Sequence, residues 1–418
     1  MERLEEHYEI CPYCDNISLV ESIEEGERVC CTNCGEVLTS IVKNPIIIPF
    51  IYACVSIFLF ICSEILPFLG INKMGITANM SLMETATSMF VDNYEFLAVF
   101  IYCNMQLFPI LCLICIIFVY GSILLKIKSN FFTKKAIKLF FHLKEWSMVE
   151  VFMIAILVSM IKLVSMVDIK IGDGFITFCL FLFFYVKTVS SVDKNYIWSK
   201  LIKKSNHEYF YDLKNFIGSR AADNQFILCQ SCDSINKISN KKCVFCESKL
   251  NIRKKNSIQN CLALVIAAAI MLIPANVFPI MITNSLGNES TSTIFEGIVY
   301  MWDSGSYHIA AIIFIASIIV PISKILILLL LCYSVTKNKN TKVKLKTKLY
   351  GLTEFIGKWS MVDVFVVAIL SALIKMGNLL SIYPGVAALS FCATVVLTML
   401  AANSFDPRTL WSDVKDDF

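Results

Sequence analysis

Eight cysteines in two quartets carry the clearest chemistry in this sequence. The first quartet reads CPYC at 11–14 and CTNC at 31–34, and the second reads CQSC at 229–232 and CVFC at 243–246. A Cys-x-x-Cys turn brings two thiolates to one ion, and two such turns complete a tetrahedral four-sulfur site. The spacing predicts two zinc sites and leaves iron open. The predicted ligands are Cys11, Cys14, Cys31, Cys34, Cys229, Cys232, Cys243 and Cys246.

A structural role suits these metal sites better than a catalytic one. Four thiolates fill the coordination shell and leave no position for water, so zinc hydrolysis is not indicated. Ribbons of about 35 residues are too small for a sizeable core, so the metal would supply their folding energy. Gly35, after Cys34, suits the tight turn. A thioredoxin-like redox pair is the alternative, but it expects one pair in a βαβ setting.

The second candidate for chemistry is an acid inside an apolar line that occurs twice. Residues 146–163 read WSMVEVFMIAILVSMIKL and residues 359–376 read WSMVDVFVVAILSALIKM, with eleven of eighteen positions identical. Glu150 and Asp363 fall one turn into this line. A charge at the centre of a bilayer costs about 2.5–3.5 kcal/mol on insertion scales, so such residues usually face a bundle interior and find a partner.

The sequence offers that partner only in its second half. Lys324 lies within the apolar run SIIVPISKILIL, and its counterpart 212 residues earlier is Cys112. We predict that Lys324 pairs with Asp363 and that the hydroxyls of Ser317, Ser360 and Thr394 lie nearby. Buried polar pairs also hold membrane helices together, so functional and structural roles both stay open.

The elements that must position these residues are membrane helices. The 418 residues are 57% hydrophobic and 17% charged, with a mean hydropathy of +0.68. A soluble domain is nearer 45–50% apolar and about 25% charged. Since a span needs about 20 apolar residues, we predict eight crossings in two sets of four. They cover 45–69, 94–124, 146–167, 174–192, 258–282, 307–333, 359–381 and 384–403.

Lysines in the loops set the predicted orientation. Residues 125–144 hold six lysines and residues 334–358 hold seven, whereas the opposite loops hold two. By the positive-inside rule, both termini, both lysine-rich loops and both ribbons face the cytoplasm. Each half has an even number of crossings, so the halves form a parallel repeat.

Matching residues at the far ends of the helices support the repeat and mark candidate hinges. Pro67 matches Pro279, and Glu84 matches Glu296, at a spacing of 212 residues. The prolines predict kinks or unwound ends, and the glutamates are read as helix-start charges. Pro321, which matches Pro109, is the fifth candidate at this end.

The predicted plan has five segments: a zinc ribbon at 1–40, a transmembrane bundle at 41–205, a second ribbon at 222–252, a second bundle at 253–405 and a solvated tail at 406–418. The fold class is therefore an α-helical polytopic membrane protein with eight transmembrane helices. These form two parallel four-helix repeats, each preceded by a small cytoplasmic four-cysteine ribbon.

The quartets, the lines WSMVEVF and WSMVDVF, and PANVFPIM resemble the paraquat-inducible protein A (PqiA/LetA) family over about residues 8–405. The resemblance implies a Gram-negative inner-membrane protein that works with an MCE-domain protein forming a periplasmic tunnel. It implies lipid transport between the inner and outer membranes. It also favours a functional role for Ser317, Lys324, Ser360, Asp363 and Thr394, and Glu150 matches as the acid of the first bundle.

The sequence also bears on the alternatives to lipid transport. A structural anchor for the tunnel would tolerate loss of Lys324 and Asp363, and a membrane redox protein would need reactive thiols. Residues 1–36 hold nine Glu, one Asp and two Arg, which disfavours DNA binding by the first ribbon; the second, with several lysines after Asn236, is less clear-cut. The sequence lacks the Gly-x-x-x-x-Gly-Lys-[Ser/Thr] motif, so ATP hydrolysis is not supported. We predict no catalytic residues.

Overall fold

The chain folds into two helical halves with the same order of elements. The computed structural model describes residues 7–21, 26–40, 42–73, 76–91, 94–127, 130–164, 168–201, 213–285, 288–305, 307–337, 342–374 and 380–412. The first half spans 47–201 and the second spans 257–411. A small cysteine-bearing ribbon precedes each half.

The first half alternates long apolar helices with short strands. Its helices are α1 (Ile47–Ile65), α2 (Glu84–Val91), α3 (Glu95–Tyr102), α4 (Phe108–Leu124), α5 (Phe131–Trp146), α6 (Val149–Val164), α7 (Asp173–Ser190) and α8 (Lys194–Leu201). A π-helical turn, Cys103–Leu107, joins α3 to α4. Its strands are β5 (Leu69–Lys73), β6 (Ile76–Met80) and β7 (Asp168–Ile171).

The second half repeats this order. Its helices are α9 (Ser257–Val277), α10 (Ile294–Asp303), α11 (Tyr307–Phe314), α12 (Val320–Thr336), α13 (Val343–Gly357), α14 (Val362–Leu373) and α15 (Val386–Ser404). A π-helical turn, Ile315–Ile319, again precedes a helix whose second residue is proline, and a 3-10 turn, Lys358–Met361, joins α13 to α14. Its strands are β10 (Met281–Ser285), β11 (Asn288–Ser292) and β12 (Leu380–Pro384).

The two halves meet along α6 and α14, the helices of the repeated line. Phe152 of α6 and Phe365 of α14 stack edge to face with ring centroids 5.6 Å apart. The two residues occupy the same position in the repeat and are fully or almost fully buried. A residue that contacts its own counterpart marks a two-fold relation between the halves, as in an isologous dimer.

A three-stranded antiparallel sheet closes one end of each half. The strand orders are β6-β5-β7 and β11-β10-β12. The hairpin β5–β6 follows α1 and the hairpin β10–β11 follows α9, whereas the third strands, β7 and β12, follow α6 and α14. Each third strand pairs with the first strand of its hairpin, so that Leu69 lies opposite Ile171 and Met281 lies opposite Pro384. We call the end with these sheets the strand face and the opposite end, with the cysteine ribbons, the ribbon face.

Proline and glycine fix the chain at the strand face. The backbone of Leu66 and Phe278 is extended and not helical, with ψ of 149° and 159°. Each residue precedes a proline, whose ring disfavours the helical conformation at the residue before it. The helices therefore end before Pro67 and Pro279, as unwound ends. Gly172 and Gly385 lie directly against the carbonyl oxygens of these prolines, where a Cβ atom would overlap them.

Replacing Gly172 or Gly385 by alanine is expected to lower the free energy of unfolding by about 3 kcal/mol or more, because the added methyl meets rigid backbone. Thermal unfolding of the purified protein in detergent measures the change. Gly297→Ala is the matched control, since its Cβ would meet nothing within 4 Å. Equal midpoints for all three variants would contradict the prediction.

The predicted polytopic helical fold with two cysteine ribbons is confirmed, but the count of eight crossings is approximate. Within the described ranges, seven helical segments are long and apolar enough to cross a membrane: Ile47–Ile65, Glu95–Leu124, Asp173–Ser190, Ser257–Val277, Ala310–Thr336, Val343–Ala372 and Val386–Ser404. The third predicted crossing corresponds to α6, which has 16 residues. The lysine-rich loops contain helices, α5 and α13, because their lysines alternate with apolar residues at helical spacing.

The C-terminal segment differs from the predicted solvated tail. A 3-10 turn, Pro407–Trp411, packs against α13, and Trp411 Nε1 donates a hydrogen bond to Thr347 Oγ1 at 3.1 Å. Arg408 is buried because Asp406 pairs with its guanidinium at 2.9 Å. Apolar side chains and an internal ion pair therefore let this short segment join the fold. The predicted boundaries at 41 and 205, and residues 413–418, lie outside the described residues.

Candidate metal centres and polar cluster

All four Cys-x-x-Cys turns adopt one conformation. The residue after the second cysteine takes a left-handed backbone: Asp15, Gly35, Asp233 and Glu247 have φ of 65°, 82°, 49° and 62°. Its N–H donates to the carbonyl of the first cysteine at 2.9–3.0 Å. The turn directs both thiols to the same side, which is what a shared ion requires.

The four sulfurs of each quartet converge on one buried point. They lie within 4.8 Å of one another. The pairs Cys11–Cys34, Cys14–Cys31 and Cys229–Cys246 are 3.5 Å apart, and Cys232–Cys243 is 3.6 Å apart. Tetrahedral zinc with Zn–S bonds of ~2.3 Å sets sulfurs roughly 3.8 Å apart. The predicted ligand sets therefore fit one metal ion each.

The thiols of each quartet also perturb one another. The hydrogen bond from Cys11 lowers the pKa of Cys31, and the bond with Cys11 raises the pKa of Cys14. In the second quartet, the hydrogen bond from Cys229 lowers the pKa of Cys246 to about 6. Four neighbouring thiolates repel each other, and a tetrahedral cation would stabilise all of them together.

The first ribbon docks onto the second half. It contains β1 (His7–Ile10), β2 (Ile17–Val20), β3 (Arg28–Cys30) and β4 (Val37–Ser40). Tyr13, between two cysteines of the first quartet, donates its hydroxyl to Glu354 of α13 at 3.0 Å. Its ring packs edge to face on Tyr350, with centroids 6.0 Å apart. The same ribbon also contacts α8, through Glu9 and Asn195 at 2.9 Å.

The second ribbon docks onto the first half. It contains β8 (Phe226–Leu228) and β9 (Ile235–Lys237). Lys134 and Lys138 of α5 donate to the carbonyls of Phe245 and Cys246 at 3.2 and 2.7 Å. Helices α5 and α13 are counterparts in the repeat. Each ribbon is thus held by the lysine-rich helix of the half that it does not precede in sequence, a crossing that the sequence did not reveal.

Asp363 and Ser317 meet inside the second half. Ser317 lies in the π-helical turn before α12, and its hydroxyl is within hydrogen-bonding distance of both Asp363 Oδ2 and the carbonyl oxygen of Ile313. Asp363 lies in the first turn of α14, and both side chains are buried. Single π-helical turns inside α-helices occur often at functional sites. Pro321, the second residue of α12, lies two residues after this turn.

Lys324 has a different partner from the one predicted. Its Nζ donates to Thr398 Oγ1 of α15 at 2.8 Å, and the lysine is 2% exposed. No ion pair joins Lys324 to Asp363 among the described residues. Lys324 lies seven residues beyond Ser317, roughly 10 Å along the helix at 1.5 Å per residue. The predicted pair is therefore two separate polar contacts at different depths.

Ser360 and Thr394 complete the polar cluster, which we define as Ser317, Lys324, Ser360, Asp363, Thr394 and Thr398. Thr394 donates to the carbonyl of Ser390 in its own helix at 2.9 Å. Ser360 Oγ is buried and has no hydrogen-bond partner among the described residues. An unsatisfied buried hydroxyl is costly.

The counterpart position in the first half is filled by an aromatic ring. Tyr185 corresponds to Thr398, and its hydroxyl hydrogen-bonds Ser147, the counterpart of Ser360, at 2.6 Å. In the second half, threonine replaces tyrosine and lysine replaces Cys112. Because threonine is smaller than tyrosine, this exchange leaves room for the Lys324 side chain. It also leaves Ser360 without the hydrogen bond that Ser147 makes in the first half. The sequence reasoning missed Thr398, although alignment of the two repeats contained this signal.

The first half has a polar contact of its own that does not involve Glu150. Glu150 is exposed in the first turn of α6, so the structure does not bring it into a polar core. Instead, Gln106 of the π-helical turn donates to Glu64 of α1 at 3.1 Å. The sequence reasoning missed Glu64, although this acid lies inside an apolar run.

The remaining predicted residues lie towards the strand face. Glu84 accepts a hydrogen bond from the N–H of Ser81 at 2.7 Å, and Glu296 accepts one from Thr293 at 2.8 Å in a capping box. Both glutamates therefore stabilise helix starts. Pro67 and Pro279 end the first helices of the two halves.

Comparison with known proteins gives one family. The family model described as "Paraquat-inducible protein A" matches residues 49–202 and 258–415, one match in each half. A comparison with solved structures found no match.

Curated relatives extend over nearly the whole chain. "Intermembrane transport protein PqiA" of Escherichia coli K12 is 34% identical over 402 residues, covering 96% of this chain and 95% of the relative. A "Probable intermembrane transport protein" of Haemophilus influenzae is 28% identical over 96% of this chain and 94% of its own length. "Lipophilic envelope-spanning tunnel protein A" of E. coli K12 is 30% identical over 65% of this chain and 60% of its own length.

Proposed function

This chain belongs to the paraquat-inducible protein A family, and from that premise we propose that it is the membrane subunit of an intermembrane lipid transport system. It passes phospholipid or a similar lipid between the inner membrane and a periplasmic MCE-type tunnel protein. The names of its relatives, an intermembrane transport protein and a tunnel protein A, support this role. The names describe transport proteins, which fits the prediction that this chain has no catalytic residues.

The observation that carries the proposal is the polar cluster of the second half. Lys324 is a buried cation and Ser360 a buried hydroxyl without a partner among the described residues, within helices that are otherwise apolar. Intramembrane ionisable residues are expensive and mark substrate pathways. We assign Lys324 and Ser360 to contact the polar part of the lipid. Asp363, held by Ser317, supplies the opposite charge about 10 Å nearer the strand face.

We further propose that the ribbon face lies in the cytoplasm and the strand face in the periplasm. The lysines of α5 and α13 support this orientation under the positive-inside rule. The tunnel protein would then dock at the strand face. There, α10 leaves Phe295, Tyr300 and Trp302 60%, 59% and 54% exposed. Its counterpart α2 instead packs on α14 of the other half.

We propose that each quartet holds one zinc ion, which brings the thiolates together and fixes the fold of its ribbon. The segments 1–40 and 222–252 would then be metal-dependent units in front of bundles 41–205 and 253–405. Elemental analysis of the purified protein is expected to find two equivalents of zinc per chain. Cys14→Ser should leave one, and Cys30→Ser, which changes an exposed thiol outside the quartet, should leave two. Iron in place of zinc would contradict the assignment.

Site-specific photocrosslinking in cells tests the lipid route. A crosslinker at Ile322 or Val396, near the polar cluster, is expected to yield lipid adducts that fall about tenfold when Lys324 becomes methionine. The counterpart positions Ile110 and Phe183 report the background from bulk lipid. That background should not respond to Lys324→Met.

The outcomes separate transport from anchoring. Adducts that depend on Lys324 support a lipid route through the second half. Adducts at background level, with normal expression and an intact complex with the tunnel protein, would overturn the route. That result would favour a structural anchor, which needs no polar cluster inside the bundle.

A further inference from the structure

A cavity of about 690 Å³ opens at the ribbon face where the two halves and the second ribbon meet. Helices α5 and α13 form two walls, the ribbon residues Gln230 and Ser231 form another, and α12 and α15 close its inner end. Ligand cavities typically measure about 300–1,000 Å³. The cavity is therefore large enough for a small molecule or a lipid headgroup.

Positive charge dominates the lining. The only acids among the described lining residues are Glu145 and Glu354. The lysines outnumber them: Lys138, Lys144, Lys194, Lys324 and Lys358. An excess of cations in a recess with low-dielectric walls concentrates anions.

Most of these ammonium groups are fixed by neutral acceptors. Lys138 donates to the carbonyl of Cys246 at 2.7 Å, Lys144 to that of Val189 at 3.4 Å and Lys358 to that of Lys144 at 3.1 Å. Carbonyls orient the lysines without cancelling their charge. Lys194 alone of the five has a described ion pair, with Asp233 at 2.9 Å.

The two glutamates of the lining neutralise little of this positive charge. Glu354 accepts the hydroxyl of Tyr13 and is directed towards the first ribbon. Burial, followed by the charge of Glu354, raises the pKa of Glu145. Burial and the nearby charge of Lys358 lower the pKa of Lys144. The lining thus contains cations that repel one another, a repulsion that a bound anion would relieve.

We propose that this cavity is a binding site for a phosphate group, carried either by a lipid headgroup or by inorganic phosphate. Several oxygens on one centre can accept hydrogen bonds from Lys138, Lys144 and Lys358 together, and lysine binds phosphate as a point charge. Phe141 and Met399 supply apolar wall for attached carbon. The site goes beyond the proposed transport function, because an anion would bind here whether or not lipid crosses the bundle.

Gly357 gives the cavity its connection to the polar cluster. A Cβ atom at this position would lie 3.5 Å from Lys324 Nζ. The absence of a larger side chain leaves Lys324 open to the inner end of the cavity, while its Nζ also contacts Thr398. A phosphate group bound at the ribbon face would therefore sit next to the residue assigned to the lipid route.

Native mass spectrometry of the full chain in maltoside micelles, which contain no phosphate, tests the site. The protein is titrated separately with inorganic phosphate and with phosphatidylglycerol. For at least one probe, the apparent affinity is expected to fall about tenfold in the variant Lys144→Gln/Lys358→Gln. The pair Lys135→Gln/Lys344→Gln is the matched control, because it removes the same charge from exposed positions on α5 and α13.

The probe that responds identifies the source of the phosphate group. Loss confined to phosphatidylglycerol assigns a lipid headgroup, and loss confined to inorganic phosphate assigns a soluble anion. Lys144→Arg/Lys358→Arg should restore binding and shows that the glutamine variant has lost charge and not fold. Equal binding by all variants for both probes, or an equal loss in the control pair, would overturn the proposal. Because no transport is measured, this result is independent of the crosslinking result.

Discussion

Replacing Lys324 by methionine is expected to reduce lipid transport at least about tenfold and to leave the stability of the protein unchanged or higher. Methionine fills a similar volume without charge. The lysine is 2% exposed and hydrogen-bonds a neutral hydroxyl, so its removal relieves a desolvation cost. Thr398 keeps its own acceptor, the carbonyl of Val395 at 2.9 Å, and is not left unsatisfied. Transfer of a fluorescent phospholipid from proteoliposomes and the thermal midpoint are measured together.

Measuring both quantities separates the two roles of a buried polar residue. If Lys324 holds helices together, the methionine variant loses stability and transport falls only in proportion. If Lys324 contacts lipid, transport falls while the midpoint does not. Cys112→Ala, at the counterpart position in the first half, should keep transport within about twofold because Cys112 is a small, uncharged side chain buried in the hydrophobic core. Full transport by Lys324→Met would refute the role.

The cysteine quartets could be predicted from sequence because their determinants are local. The spacing within CPYC or CQSC fixes which thiols share a turn, whatever the rest of the chain does. The left-handed residue after each turn could be predicted only at Gly35. At Asp15, Asp233 and Glu247 the hydrogen bond back to the first cysteine overrides the ordinary preference against this conformation.

The membrane helices followed from hydropathy, but the strand-face sheets did not. Helix α1 is apolar along its whole length, so composition alone predicts it. Strand β5 pairs with β7 across about 100 residues, and its sequence LGINK has no strong strand pattern. Such pairing depends on helix packing, which places the two segments side by side, and no local signal encodes that.

The partner of Lys324 was predicted wrongly as Asp363, because hydropathy along the sequence does not show which buried residues meet. An apolar run reveals that Lys324 and Asp363 are buried, but not at which depth or on which side of a helix each lies. The π-helical turn rotates Ser317 relative to α12 and brings it to Asp363. The space for Lys324 comes from Thr398, whose counterpart Tyr185 fills the same volume in the first half. The close packing of the side chains therefore determines that Lys324 contacts Thr398.

Removing the metal ligands of one ribbon is expected to loosen the half of the protein that the ribbon does not precede. In Cys11→Ser/Cys14→Ser, the first quartet loses two ligands, and its ribbon loses metal binding worth about 10–16 kcal/mol in comparable small domains. The contacts of Tyr13 with Glu354 and Tyr350 then disappear. Amide exchange measured by mass spectrometry should accelerate at least about tenfold in α13 and stay unchanged in α5.

The second ribbon supplies the mirror experiment. In Cys229→Ser/Cys232→Ser, the acceptors of Lys134 and Lys138 are disordered, so faster exchange should appear in α5 and not in α13. Cys30→Ser, outside either quartet, is the matched control and should change neither helix. If amide exchange instead accelerated in the half that follows the altered ribbon in sequence, each ribbon would stabilise its own half, and the crossed arrangement would be wrong. The crossed pattern would mean that the metals couple two repeats that could otherwise move independently, since each repeat depends on the other's ribbon for its lysine-rich helix.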